Sequence, residues 1–282
     1  MENGQRDQNE ALLSGARSIG VELGQRELGL LLRYAELVRE WNQRINLVSR
    51  KDIGNLVSSH IVDSLAGVPV LKRLIGGDQE NKAVSLEGQA RSRTRDDTAP
   101  AHPPLKAGEP SFDCSARGLV QDMARDDTAP AHPPLVMDLG SGGGLPGIPL
   151  KICLPDVEMA LVESTKKKAK FLETAVRELG LKSVVVVDRH SRELEKDPRH
   201  RGKYDLVTAR AVAELNDLVV LAFPFLKTGG RLTAYKGTKA GEEIAGARGM
   251  LKRIGGVVEE CHGQSAGDTD KTRYIVVVRR SG

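Results

Sequence analysis

Cysteine, aromatic residues and long apolar runs are all scarce in this chain, and each shortage excludes something. The three cysteines, Cys114, Cys153 and Cys261, lie far apart with no C-x-x-C pair. That argues against a disulfide framework or a zinc site and fits a reducing cytoplasm. No run approaches the roughly 20 apolar residues that span a bilayer, so no membrane partner is expected. The opening MENGQRDQNE is polar and lacks the apolar core of a signal peptide. Aromatics are 3% of the 282 residues, so stacking on nucleic-acid bases would rest on very few side chains. Tyr34, Trp41 and Tyr235 are the candidates, none singled out. A net charge of +4 is mild basicity, compatible with an RNA substrate and with many ordinary enzymes.

What is present falls into three zones. Residues 1–75 read as helical. Leu28, Leu31, Leu32, Ala35, Val38, Trp41 and Ile45 recur at three- and four-residue steps and so line one helix face. A second periodic stretch follows from Ile53 to Leu74, with Pro69 as its expected interruption. Residues 76–134 are rich in Arg, Asp, Pro, Gly and Ser, and repeat RDDTAPAHPPL at Arg95–Leu105 and Arg125–Leu135. Such a segment cannot bury enough apolar surface to offset the entropy of ordering it, so a disordered insertion is expected. Asp96, Asp97, Asp126 and Asp127 largely cancel the nearby arginines, which disfavours an RNA-touching arm. His102 and His132, set among prolines, make no metal site. Residues 135–282 alternate strand-like runs (LVMDL, VEMALVE, SVVVVD, YDLVTA, GGRLTAY, YIVVVRR) with helix-like ones such as Lys166–Leu179 and Glu214–Leu226. That alternation implies an α/β fold with a mostly parallel sheet covered on both faces.

The first strand runs into GSGGGLPGIP, Gly140 to Pro149. Glycines at 140, 142 and 144 let the backbone turn sharply and approach a ligand. A dinucleotide fingerprint would place a third glycine where Leu145 stands, which disfavours a nicotinamide-dependent oxidoreductase. Glu163, at the end of the second strand-like run, can accept hydrogen bonds from ribose hydroxyls. The residues alone therefore specify an adenosine-type cofactor more firmly than a reaction.

The blocks VMDLGSGGGLPGIPLKI, LVESTKKKAKFL, YDLVTARAVAELNDLV and GGRLTAYKG, preceded by EWNQRINLVS and HIVDSL, resemble the RsmG (GidB) family of 16S rRNA guanine-N7 methyltransferases. The resemblance implies a class I, Rossmann-like methyltransferase fold with a small helical N-terminal subdomain, and S-adenosylmethionine as cofactor. It implies a cytoplasmic monomer acting on 16S rRNA or the 30S subunit, at guanine 527 in rRNA numbering. It also implies cofactor contacts at Gly140, Gly142, Leu145, Glu163 and Arg210, and at His190 and Ser191 after the third strand. There the family's Arg-x-Glu-Glu pattern is replaced by Arg189-His190-Ser191-Arg192-Glu193. No catalytic acid or base is expected, because guanine N7 carries a free lone pair and positioning alone can carry the reaction. Lys166, Lys167, Lys168, Lys170, Arg210, Lys236, Lys239 and Arg44 are the candidate RNA contacts. The remaining alternatives are a methyltransferase with a different RNA or protein substrate and a non-catalytic ribosome-binding protein.

Overall fold

Five short apolar runs form a parallel ladder: β1 (Leu135–Leu139), β2 (Glu158–Val162), β3 (Val184–Val187), β4 (Tyr204–Arg210) and β5 (Leu226–Lys236). The computed structural model describes residues 2–76, 132–264 and 272–282. Cys114, His102, the first repeat copy and residues 125–131 of the second lie outside the described residues, as does nearly all of the expected insertion. Two antiparallel strands, β6 (Gly256–Gln264) and β7 (Arg273–Arg280), complete a seven-stranded sheet in the order β3-β2-β1-β4-β5-β7-β6. This is a mostly parallel, Rossmann-like sheet, as the sequence implies. The chain leaves β1 first toward β2 and β3, then returns to add β4 on the other side. The topological switch point therefore lies between the carboxyl ends of β1 and β4, where such sheets bind ligands.

Alternation within the strands divides the core. Val136, Met159, Leu161, Leu206 and Val277 face the N-terminal helices Glu2–Ser18 and Gln25–Asn42 and share one buried cluster with Leu12, Leu31 and Leu71. Leu135, Met137, Val162, Val207, Leu232 and Val276 face the helices Leu215–Ala222 and Ala240–Ile254. Burial on both faces explains why the parallel strands read as unbroken apolar runs. The strand β6 differs. It lies at the sheet edge with alternate residues exposed, and its Glu259 accepts from Arg231 Nε at 2.9 Å and from Arg279 Nε at 2.5 Å. Charges on an edge strand discourage pairing with another chain.

In the helical zone, Leu28, Leu31, Ala35 and Val38 are buried as their spacing requires, and Trp41 meets Phe171 edge-on with ring centroids 5.6 Å apart. The helix ends at Asn42, whose Oδ1 accepts from Leu47 N at 2.8 Å and Val48 N at 3.0 Å. Those two bonds turn the chain back toward the sheet. Ile53–Leu74 is not one helix. It comprises a 3₁₀ turn (Ile53–Asn55), a π-helical turn (Leu56–Ile61), a short α-helix (Val62–Leu65) and a helix over 67–76. The break falls at Ala66. Pro69 sits in the first turn of the last helix, where its missing N–H has no intrahelical partner to lose.

Replacing Asn42 by Ala leaves two backbone donors without their acceptor, at a cost of about 1–2 kcal/mol. Urea unfolding should show a lowered midpoint with an unchanged slope; an unchanged midpoint would mean that water replaces the side chain without loss.

Candidate active site

The loop after β1 is held by its neighbours at every turn. Gly140 N and Ser141 N both donate to Val162 O at 2.9 Å, continuing the β1–β2 ladder beyond the strand. Gly142 N donates to Glu163 Oε2 at 2.9 Å, and Thr165 N donates to Glu163 Oε1 at 2.7 Å. Glu163 is buried, so its carboxylate clamps the loop after β1 to the loop after β2. Each of its oxygens retains a lone pair for a further donor. At Gly140, φ is +73° and a Cβ would lie 2.8 Å from Val212 Cγ2, so only glycine lets the two loops approach this closely. Beneath the turn, Asp138 Oδ2 accepts from Gly147 N at 3.0 Å, while its buried Oδ1 has no hydrogen-bond partner among the described residues. Burial pushes the Asp138 pKa up to about 7, against hydrogen bonds from Ser141 and Gly147 that favour the carboxylate.

The other sequence-assigned residues reach the same edge of the sheet in different states. Leu145 is buried in the cluster shared with the N-terminal helices, so its side chain supports the loop from below. His190 is exposed and caps the short helix Ser191–Leu194, its Nδ1 accepting from Arg192 N at 3.4 Å. Ser191 is half-buried beside it. The segment after β3 is braced by Asp197, which accepts from Arg189 Nη1 at 3.0 Å and Arg199 Nη2 at 2.6 Å. Hydrogen bonds from the Arg199 side chain and backbone hold the Asp197 carboxyl well below the usual carboxylate range.

Arg210, at the end of β4, reaches across to the helical zone. Its Nη1 donates to His60 O at 2.8 Å and to Ser64 Oγ at 3.1 Å, and its Nη2 donates to His60 Nδ1. Burial and the Arg210 charge lower the His60 pKa to about 4, so the imidazole is neutral at pH 7. Tyr235 OH donates to Ser64 O at 2.8 Å, and Arg273 Nε lies 3.2 Å from Asp63 Oδ2. The HIVDSL block is thus the part of the helical zone that docks on the ends of β4, β5 and β7. Ala211, directly after Arg210, has φ of +56°, a strained value for a residue with a Cβ. Between these groups opens a cavity of about 460 Å³, lined by His60, Asp63, Arg210, Val212, Tyr235 and Arg273 among others. Val212 stands between this cavity and Gly140, so cradle and cavity share a wall.

Several proposed RNA contacts are otherwise employed. Lys236 is buried; its Nζ donates to Ala213 O at 2.6 Å and pairs with Glu243 Oε2 at 2.7 Å. Glu243 Oε2 also accepts from Leu215 N at 2.8 Å, so this lysine shapes the loop after β4 and does not face solvent. Tyr34 is fully buried, its OH donating to Gly143 O at 2.5 Å, and cannot stack on a base. Tyr34 was read in the sequence as a candidate for base stacking, since nothing local marks a tyrosine whose hydroxyl meets a loop 109 residues away. Arg44, Lys166, Lys167, Lys170 and Lys239 are exposed, and Lys168 is half-buried. Among the described residues no cluster of three or more His, Cys, Asp or Glu could hold a metal ion. No described helix is long and apolar enough to cross a membrane.

The family profile described as rRNA small subunit methyltransferase G matches residues 27–75 and 123–270. The protein named ribosomal RNA small subunit methyltransferase G from Roseiflexus castenholzii is 34% identical over 249 residues, covering 88% of this chain and 82% of its own. The protein of the same name from Roseiflexus sp. strain RS-1 is 31% identical over 270 residues, covering 96% of this chain and 91% of its own. Among solved structures, M. jannaschii TYW2 in complex with AdoMet matches with a TM-score of 0.43 at 16% identity, over 60% of this chain and 76% of that one.

The elevated pKa of Asp138 makes stability depend on pH. Its ordinary value of 3.8 rises to about 7 in the folded chain, so the folded state binds the proton more tightly. Its contribution to stability is therefore fully present below about pH 4 and is lost as pH rises through about 7. Asp138→Asn can still accept from Gly147 N but cannot ionise. The melting temperature of the variant relative to wild type is expected to climb between pH 4.5 and 7.5; a pH-independent difference would show that Asp138 stays charged.

Proposed function

The chain belongs to the rRNA small subunit methyltransferase G family, and from that premise we propose that it methylates N7 of a single guanine, guanine 527 in rRNA numbering, in 16S rRNA. It is an S-adenosylmethionine-dependent rRNA methyltransferase. The observation that carries the proposal is the shared wall at Gly140 and Val212, which sets a backbone cradle for the donor directly against a polar cavity for the acceptor.

The residues present suit S-adenosylmethionine. The Gly140–Gly142 turn offers backbone unshielded by side chains, Glu163 retains acceptor capacity for ribose hydroxyls, and the unpartnered Asp138 Oδ1 lies beneath the turn. When bound, S-adenosylmethionine supplies an electrophilic methyl group on a positively charged sulfur. In this reading Gly140 and Gly142 line the amino-acid portion and Glu163 orients the ribose. The backbone of His190 and the hydroxyl of Ser191 border the adenine. Leu145 acts from below by holding the loop. Arg210 acts through His60 and Ser64, fixing the segment that closes the cavity.

Guanine N7 needs no deprotonation before it attacks, so the protein's task is to hold two reactants at close range and keep water out. The chemistry of the walls agrees: His60 is neutral but its Nδ1 accepts from Arg210, and Tyr235 donates to Ser64 O. Neither is arranged as a free general base. The exposed Arg44, Lys166, Lys167, Lys170 and Lys239 supply charge for the RNA backbone. The protein acts as a cytoplasmic monomer on the 30S subunit or on its 16S rRNA.

The test combines purified protein, labelled S-adenosylmethionine and 30S subunits from a strain lacking the modification. One N7-methylguanosine per 16S rRNA, at a single site, is the expected product; label in ribosomal protein or at another base position would overturn the reading. Glu163→Gln removes the charge of the clamp and should weaken S-adenosylmethionine binding about tenfold, or ~1.4 kcal/mol, by calorimetry. Equal affinity in the variant would remove Glu163 from the cofactor site.

A further inference from the structure

The function just proposed leaves one motif unexplained. His60, Asp63 and Ser64 of HIVDSL all meet the cavity or its walls and all help to dock the segment, but the Asp63–Arg273 contact also leaves polar capacity at the cavity. We infer that Asp63 and Arg273 together read the Watson–Crick edge of the acceptor base, making them the residues that select guanine. The inference rests on the N7-guanine reading above.

Most polar groups lining the cavity are already committed. Arg210 donates to His60 and Ser64, Tyr235 donates to Ser64, and Lys236 is held by Ala213 and Glu243. The Asp63–Arg273 pair, whose carboxylate also feels the Arg210 charge, has capacity left. Asp63 comes from the short helix Val62–Leu65 and Arg273 from the first position of β7, and both line the cavity. Asp63 Oδ2 meets Arg273 Nε at 3.2 Å, which takes up one of the roughly four lone-pair sites a carboxylate offers. Of the five N–H groups on Arg273, the ion pair occupies only the one at Nε.

A carboxylate beside a guanidinium is an acceptor–donor pair, and guanine presents the complement. Its N1–H and 2-amino group donate, and the adjacent O6 accepts. Asp63 takes the two donors while Arg273 donates to O6. Adenine reverses the pattern at both positions, with a lone pair at N1 against the carboxylate and an amino group against the guanidinium. Left unpaired inside a cavity, those groups are rejected strongly. With the Watson–Crick edge held there, the edge bearing N7 remains uncovered for reaction.

The same contact has a role in the rate. The N7 lone pair forms the new N–CH₃ bond while the electrons of the C–S bond pass to sulfur. The positive charge moves from sulfur to the purine, and no proton is transferred. A cationic purine holds its N1–H less tightly, so the bond that Asp63 accepts strengthens as the methyl arrives. An interaction that grows along the reaction raises kcat as well as affinity.

The decisive measurement uses 30S subunits reconstituted with either guanine or inosine at the acceptor position, inosine lacking only the 2-amino group. For wild type, kcat/KM with inosine should be about tenfold lower. Asp63→Asn, whose amide sets a donor NH2 where the carboxylate had its second acceptor oxygen, should lower kcat on guanine about a hundredfold with S-adenosylmethionine affinity unchanged by calorimetry. It should also abolish the guanine–inosine difference, which a purely structural role for the ion pair would leave intact. Arg273→Lys retains the charge beside Asp63 but loses the fork; it should slow both substrates equally and preserve their ratio. Equal wild-type rates on guanine and inosine, or a wild-type ratio retained in a folded Asp63→Asn variant, would overturn the inference. Absence of any N7-methylguanosine with wild-type protein on guanine would instead overturn the functional reading on which it rests.

Discussion

The buried guanidinium of Arg210 is the constraint around which this site is assembled. A charge taken out of water at the end of a central strand must be matched by polar partners or the fold loses several kcal/mol. Its partners come from the helical zone: the carbonyl and ring nitrogen of His60 and the hydroxyl of Ser64. Once those bonds exist, the segment from Leu56 to Leu65 cannot sit elsewhere. Tyr235 adds a bond to Ser64 O, and Asp63 is brought against Arg273. The cavity between β4 and β5 is therefore bounded on one side by residues that precede the first strand by more than 70 positions.

That dependence separates what was legible in the sequence from what was not. The parallel strands announced themselves as apolar runs because both their faces are covered, and the glycine loop because it follows such a run directly. Glu163 was legible as an acid at the end of β2. Its role as a clamp between Gly142 N and Thr165 N was not, because backbone donors leave no trace in side-chain identity. The strand β6 was missed for a physical reason: an edge strand carrying Glu259, Glu260 and His262 lacks the apolar signal of a covered one. Lys236 misled in the opposite sense. A lysine near the end of a strand reads as a solvent-facing cation, and only the fold reveals Glu243 and Ala213 O around it.

The contacts of the helical zone also explain why it is packed so closely against the sheet face it helps to cover. It touches both halves of the site, at Gly143 through Tyr34 and at the ends of β4 and β5 through His60 and Ser64. Both contacts are hydrogen bonds to backbone or to a buried charge, so they fix position with little tolerance.

A nucleophile that needs no deprotonation gives that rigidity its purpose. Where a proton must move, some of the barrier can be removed by tuning a pKa; at guanine N7 none moves before attack, and geometry carries the burden. Enzymes of this kind should spend their polar groups on holding loops, and this one does. Glu163, Asp138, Tyr34, Arg210, Lys236 and Asp197 each bind backbone or a neighbouring side chain. Electrostatics sharpen the point. A cationic methyl donor near a cationic Arg210 would be repelled unless the arginine's charge were balanced, and the Asp63 carboxylate supplies an opposite charge. Glu163 at the glycine loop and Asp63 at the cavity put one carboxylate in each half of the site, so the residues that hold it also favour positive charge there.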